Sequence, residues 1–172
     1  MTAAVTILGI DPGSQVTGFG VITAQGSSLA YVASGCIRTG GGEMAARLQV
    51  IFASASRLVD DYRPDEISIE RVFMHRNADS ALKLGQARAA ALCGTFTRAV
   101  PVHEYAPREV KQAVTGSGGA EKAQVAHMVR RLLALEGPLA ADAADALAIA
   151  ITHAQLRQGR LLRTRLAGGG QA

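Results

Sequence analysis

Only two of the 172 residues are cysteines, Cys36 and Cys93, and they show neither CxxC spacing nor paired histidines. Neither a disulfide framework nor a zinc site is therefore suggested, and both thiols read as small hydrophobes. The four histidines, His75, His103, His127 and His153, lack HxxxH or HExxH spacing, so each reads as structural or surface, with His153 near the end of the last helix. No uninterrupted apolar run approaches the roughly 18 residues that a membrane-spanning helix needs. The opening Met-Thr-Ala-Ala has no basic region followed by an apolar stretch, so no secretory signal is expected and the expected location is cytoplasmic, with no membrane partner. No internal repeat or linker divides the chain. One domain is expected over residues 1–157, followed by a basic, Gly-rich tail over 158–172 that is expected to be disordered.

What is present suits a compact α/β globule. Hydrophobic residues make up 48% of the chain, enough for a real core, and the net charge of +4 is modest support for a polyanionic partner. Because several acids cluster in short motifs, the positive charge elsewhere is denser than the net value suggests. The N-terminal third reads as an antiparallel meander: Thr6 to Asp11, Gly18 to Thr23, a turn at Ala24 to Ser27, and Leu29 to Ile37. Met44, Leu48, Ile51, Phe52, Ala55, Leu58 and Val59 then recur at helical spacing until Pro64 stops the run. A short strand at Ile67 to Glu70 precedes a helix from about Ser80 to Arg98 rich in small residues (Gly85, Ala87, Ala89, Ala90, Ala91), which permits close approach of another helix. A last strand at Pro101 to Tyr105, helices after Pro107 and after Ala120 joined by the flexible loop Gly116 to Gly119, and a final helix near Ala140 to Gln158 complete the reading. The expected architecture is a mixed five-stranded sheet flanked by helices.

Four carboxylates stand out against this background. Asp11 and Glu70 each end an apolar strand, and Asp142 and Asp145 lie one helical turn apart in an Ala-rich segment. Positions three apart on a helix lie about 60° apart around its axis, so the two aspartates point the same way. Acids at the edge of so much apolar sequence are costly unless their charge is compensated, which divalent cations do efficiently. Two ions roughly 4 Å apart could be held by such a set, one activating water and the other stabilising a departing 3′ oxygen. Each acid also has a plainer role: Asp11 a turn residue before Pro12-Gly13, Glu70 an ion pair with Arg71, Asp142 and Asp145 caps of the last helix. The constellation is stronger than any member, because the helix around the paired aspartates is almost wholly Ala, Leu and Ile and is expected to be buried.

The motifs Leu8-Gly9-Ile10-Asp11-Pro12-Gly13 with Thr17-Gly18-Phe19-Gly20, Ile69-Glu70-Arg71-Val72-Phe73-Met74, Asn77 to Arg88, and Asp142-Ala143-Ala144-Asp145-Ala146-Leu147-Ala148 resemble, in this order, the bacterial Holliday junction resolvase family RuvC. The similarity runs from about Leu8 to His153. It implies a ribonuclease H-like fold, a homodimer, and Mg²⁺-dependent symmetric nicking of two opposed strands of a four-way DNA junction, leaving 5′-phosphate and 3′-hydroxyl ends in recombination and repair. It also implies two Mg²⁺ per site, replaceable by Mn²⁺, and a partnership with the RuvAB branch-migration complex. The family's catalytic, metal-binding acids fall on Asp11, Glu70, Asp142 and Asp145.

Among DNA-contact candidates, Lys111 and Lys122 match family lysines, and a Gly-rich loop opening a helix beside them offers backbone N–H groups to phosphate. The stretch from Gly116 to Lys122 is not a P-loop, since Glu121 replaces the required Gly and Ala123 the required hydroxyl. Phe73, three residues after Glu70, would be core in isolation; the resemblance assigns it a base-wedging role. Arg76 is a candidate phosphate contact.

Two other classes compete. Gly9 to Gly13 followed by a hairpin also looks like the phosphate loop of the actin and sugar-kinase group, but such proteins need two domains and an adenosine site. A noncatalytic DNA-binding module would keep Lys111, Lys122 and Phe73 but has no use for four acids that repel phosphate.

Overall fold

The computed structural model describes residues 3–71 and 77–168, with side chains through 159. The elements are β1 (Val5–Asp11), β2 (Val16–Gln25), β3 (Ser28–Arg38), α1 (Met44–Tyr62), β4 (Glu66–Glu70), α2 (Ala78–Thr95), β5 (Val102–Tyr105), α3 (Pro107–Thr115), α4 (Lys122–Leu132) and α5 (Ala141–Gly168). Five strands form one sheet in the order β3-β2-β1-β4-β5. The first three strands pair antiparallel, as short hairpin links require, while β4 joins β1 and β5 joins β4 in parallel through helical crossovers.

Side-chain alternation along the strands divides the apolar residues between two layers. Leu8, Ile10, Val21, Ile67 and Ile69 pack with Ile51, Leu58 and Val59 of α1 and Ala87 and Ala91 of α2. Ile7 and Ile22 face the other way, against Val110 and Val114 of α3, Val125 and Val129 of α4, and Leu147 to Ile151 of α5. Local signals set the helix ends. Asn77 caps α2 by accepting from the Ser80 amide at 3.2 Å, Glu109 reaches back to the Ala106 amide at the start of α3, and α1 closes on Arg63 in the left-handed region (φ 44°) before Pro64.

The contact that positions everything else is that of α5 with β1 and β2. Gly9 and Gly20 are register partners on these strands, and Gly18 is paired with Asp11. A Cβ at Gly9 would overlap the Ala146 carbonyl oxygen, one at Gly18 would overlap the Asp142 carbonyl oxygen, and one at Gly20 would lie 2.7 Å from the Leu147 side chain. The three glycines thus leave a track, bare of side chains, on which the α5 backbone rests against the sheet.

Two local readings differ from the structure. Helix α5, read as ending near Gln158, extends to Gly168; Leu161, Leu162, Arg163, Arg165 and Leu166 are all strong helix formers. The loop at Gly116 to Gly119 is pinned rather than loose, because the Gln112 side chain donates to the Gly116 carbonyl at 2.7 Å and accepts from the Gly118 amide at 3.0 Å.

Candidate active site

Asp11 is the last residue of β1 and Glu70 the last of β4, and because these strands run parallel, both carboxylates emerge at the same end of the sheet. Asp145 enters from the first turns of α5, held down on the glycine track. Asp11, Glu70 and Asp145 line one cavity of about 290 Å³ together with Lys111, Lys122, Pro107, Val110 and Val125. Asp142 lies outside that lining but close enough for its charge to act on Asp11. Of the four acids, three thus face the cavity, and Asp142 lies beside it at the start of α5.

The electrostatics show the strain of this grouping. Burial, followed by the charges of Glu70 and Asp145, pushes the Asp11 carboxyl up to about 8, with Asp142 adding to the rise and Lys122 opposing it. Lys122 lies with Nζ 2.8 Å from Asp145 Oδ2, although its side chain is 80% exposed. That bond to Asp145 holds the ammonium above the ordinary lysine value, with further help from the charges of Asp145, Asp11 and Glu70. One lysine does not restore the ionised state of Asp11, so the pocket has a deficit of positive charge. An oxygen-only donor set short of cationic charge, at a solvent-open cavity, fits hard divalent ions such as Mg²⁺.

Neighbouring elements fix the acids. Arg88 of α2 donates from Nε to the Glu70 carbonyl oxygen at 3.1 Å and pairs through Nη2 with Glu104 of β5 at 3.0 Å, tying the end of β4 to its surroundings. Lys111 of α3 reaches the cavity beside Lys122 because Gln112 and Thr115 hold the turn between α3 and α4, so both lysines expected to contact DNA sit at the acids rather than on a remote surface. Phe73 and Arg76 lie outside the described residues. A larger, mostly apolar depression of about 730 Å³ between α3 and α5, bordered by Pro107, Ala113 and Leu156, has Arg108 and Glu109 as its charged lining and does not include the four acids.

A second polar cluster, which no motif marks, lies at the opposite end of β4. Glu66 bonds through Oε2 to His153 Nε2 and accepts from Arg157 Nε through Oε1 at 2.7 Å, while the Tyr105 hydroxyl lies 2.6 Å from His153 Nδ1. His153 is fully buried and stacks on His103 with ring centroids 4.3 Å apart. These groups come from β4, β5 and α5, and the Glu66 and His153 positions are 87 residues apart, so no local spacing reveals them.

A family model described as Crossover junction endodeoxyribonuclease RuvC matches residues 7–153. Proteins of that description from Edwardsiella ictaluri and Marinobacter nauticus are 57% and 56% identical, over 90% and 94% of this chain and 90% and 93% of their own lengths. The solved structure of T. thermophilus RuvC in complex with a Holliday junction substrate superposes with a TM-score of 0.84 at 35% identity, covering 90% of this chain and 96% of that one. The yeast mitochondrial Holliday junction resolvase Ydc2 shares the fold, with a TM-score of 0.68 at 12% identity over 92% of this chain and 82% of that one. The mixed sheet with its flanking helices is accordingly of the ribonuclease H-like type.

Proposed function

The chain belongs to the RuvC family of crossover junction endodeoxyribonucleases, and from that membership together with the acid pocket we propose that it resolves four-way DNA junctions by Mg²⁺-dependent nicking of two opposed strands at Asp11, Glu70, Asp142 and Asp145. The observation that carries the assignment is the joint lining of one cavity by Asp11, Glu70 and Asp145 from β1, β4 and α5, with Asp11 raised to about 8 by burial and by its acidic neighbours. A noncatalytic DNA-binding module has no reason to bear that electrostatic cost. When bound, a pair of divalent ions supplies an activated water and stabilises the departing 3′ oxygen, which yields 5′-phosphate and 3′-hydroxyl ends.

The protein's own groups do the positioning. Asp11 and Glu70 offer oxygens from rigid strand ends, and Asp145 and Asp142 offer theirs from the first turns of a buried helix. Lys122 neutralises Asp145 in the resting state and is the group placed to meet an incoming phosphate, with Lys111 beside it. Phe73, three residues after Glu70, is assigned to a base at the junction centre and Arg76 to phosphate, on the sequence motif alone.

A symmetric product requires two active sites related by a two-fold axis, hence a homodimer. Helix α2, whose small residues permit close approach of another helix, already gives part of that face to α1: Ala87 and Ala91 pack there, and Gly94 approaches the Phe52 carbonyl closely. The remaining apolar surface, with Phe52, Leu82 and Phe96 exposed, is where we place the second copy. The cytoplasm as working compartment and cooperation with the RuvAB branch-migration complex belong to the same proposal; no helix among the described residues is long and apolar enough to cross a membrane.

The decisive experiment presents a synthetic four-way junction with and without Mg²⁺. Paired nicks that require the metal and vanish in Asp11→Asn support the assignment. Cleavage retained by Asp11→Asn, or DNA binding indifferent to metal with every strand intact, rejects it.

A further inference from the structure

We propose that Glu66, His103 and His153 form a second divalent-cation site, distinct from the acid pocket and selective for zinc-class ions over Mg²⁺. One ligand atom from each of the three lies within 4.8 Å of the others, and His103 Nε2 is 3.8 Å from Glu66 Oε2. An ion bound by imidazole nitrogen and carboxylate oxygen at about 2.0–2.2 Å separates tetrahedral donors by roughly 3.3–3.6 Å. Ion binding would require the Glu66 carboxylate and the His103 ring to turn toward that spacing, the ion replacing the direct Glu66 to His153 hydrogen bond.

The surroundings have the features of a supported site. The Tyr105 hydroxyl, 2.6 Å from His153 Nδ1, fixes the ring so that Nε2 faces Glu66, and the Arg157 contact on Oε1 leaves Oε2 for a cation. His153 is fully buried, whereas the His103 side chain is 34% exposed, so the donors have a rigid back wall and an open front from which an ion and a water can enter. The donor chemistry also separates the two centres. Two imidazoles with one carboxylate suit Zn²⁺, Co²⁺ or Ni²⁺, whereas the oxygen-only pocket around Asp11 suits Mg²⁺. Glu66 and Glu70 occupy opposite ends of β4, so either site can fill without the other. Bound there, an ion would tie the starts of β4 and β5 to the middle of α5. The competing arrangement is a metal-free polar clamp, in which Arg157 and His153 already satisfy Glu66.

The test uses the full chain with Asp11→Asn and Asp145→Asn, which removes donors from the acid pocket, in millimolar Mg²⁺. Titration with Co²⁺ is followed by its d–d absorption, and titration with Zn²⁺ by calorimetry and thermal unfolding. The expected result is one equivalent of Co²⁺ or Zn²⁺ bound despite the Mg²⁺, without the sulfur charge-transfer band that Cys36 or Cys93 would give, and an upward shift of the unfolding midpoint with Zn²⁺. Adding His103→Ala, which alters a partly exposed side chain, should abolish both the binding and the shift while leaving the metal-free midpoint nearly unchanged. Absence of binding establishes the polar clamp instead, and binding that survives both His103→Ala and Glu66→Gln places the ion elsewhere; either overturns the proposal. Junction cleavage plays no part in these readouts, so the second site can fail while the nuclease assignment stands.

Discussion

Placing a single methyl group on the glycine track should disable the acid pocket from a distance. In Gly20→Ala the new Cβ would sit 2.7 Å from both Cγ and Cδ2 of Leu147 and 2.9 Å from its Cα. Carbon atoms in ordinary contact are about 3.5–4.0 Å apart. The Leu147 side chain can turn away, but its Cα cannot, so α5 must lift by roughly 0.6–1.1 Å over β2. Overpacking of this kind costs about 1–3 kcal/mol, and at roughly 2–4 °C per kcal/mol for a chain of this size the unfolding midpoint should fall by about 2–12 °C. Asp145 starts only two residues before Leu147, so the lift carries its carboxylate away from Asp11 and Glu70. A displacement of about 1 Å in a positioned catalytic group can cost on the order of 100-fold in rate. Single-turnover nicking of a four-way junction, compared with the thermal midpoint of the same variant, measures both effects. Gly9→Ala, which meets the Ala146 backbone carbonyl, should be worse, whereas Gly41→Ala, with nothing within 4 Å, should leave both quantities near those of the parent. A Gly20→Ala protein with parental midpoint and rate would refute the claim that this track sets the depth of α5.

Other expectations rest on individual charges. Since the folded Asp11 carboxyl is raised from 3.8 to about 8, the metal-free protein binds an extra proton on folding between those values and loses stability as pH rises from about 4 to about 8; Asp11→Asn should therefore become progressively more stable than the parent across that window, and identical pH profiles of thermal unfolding would contradict it. Mg²⁺ should narrow the gap and EDTA restore it, because the ion compensates the charge that Asn removes. Lys122→Ala should weaken junction binding and lower the slope of log affinity against log salt by about 1, and an unchanged slope would remove Lys122 from the phosphate contacts. Glu66 is held below its ordinary value of 4.5: its burial acts against this, and the bonds from Arg157 and His153 outweigh that burial. Its contribution is accordingly present above about pH 4.5 and lost as the medium becomes more acidic, so Glu66→Gln should cost roughly 1.5–3 kcal/mol near neutrality, and the cost should shrink as the pH is lowered through the depressed value of Glu66.

The parts of this molecule legible in its sequence are those governed by short-range periodicity. Asp11 and Glu70 are recognisable because each follows a short apolar run and so reads as the end of a strand, and the i, i+3 spacing of Asp142 and Asp145 fixes their shared face whatever the tertiary structure. The pairing of Lys122 with Asp145, 23 residues apart, depends on how the α3–α4 turn is pinned, and periodicity is silent on it. Silent too is the role of Gly9, Gly18 and Gly20, since a glycine in a strand reads as a weakness until the helix lying on it is seen. His153, within an apolar helical run, looks like an isolated core histidine, and only the parallel register of β4 and β5 brings Tyr105, His103 and Glu66 around it. The helical continuation to Gly168 was obscured by the density of arginine, which also favours helix.

The change of strand direction at β1 has a geometric consequence for a bulky substrate. The chain leaving Asp11 turns back toward β2 on one side, while the strand that follows Glu70 in the sheet, β5, lies on the other. Connections that diverge from two adjacent strand ends leave a crevice between them. Asp11 and Glu70 stand at that parting of the strands, and Lys111, Lys122 and Asp145 border the same hollow from the helices.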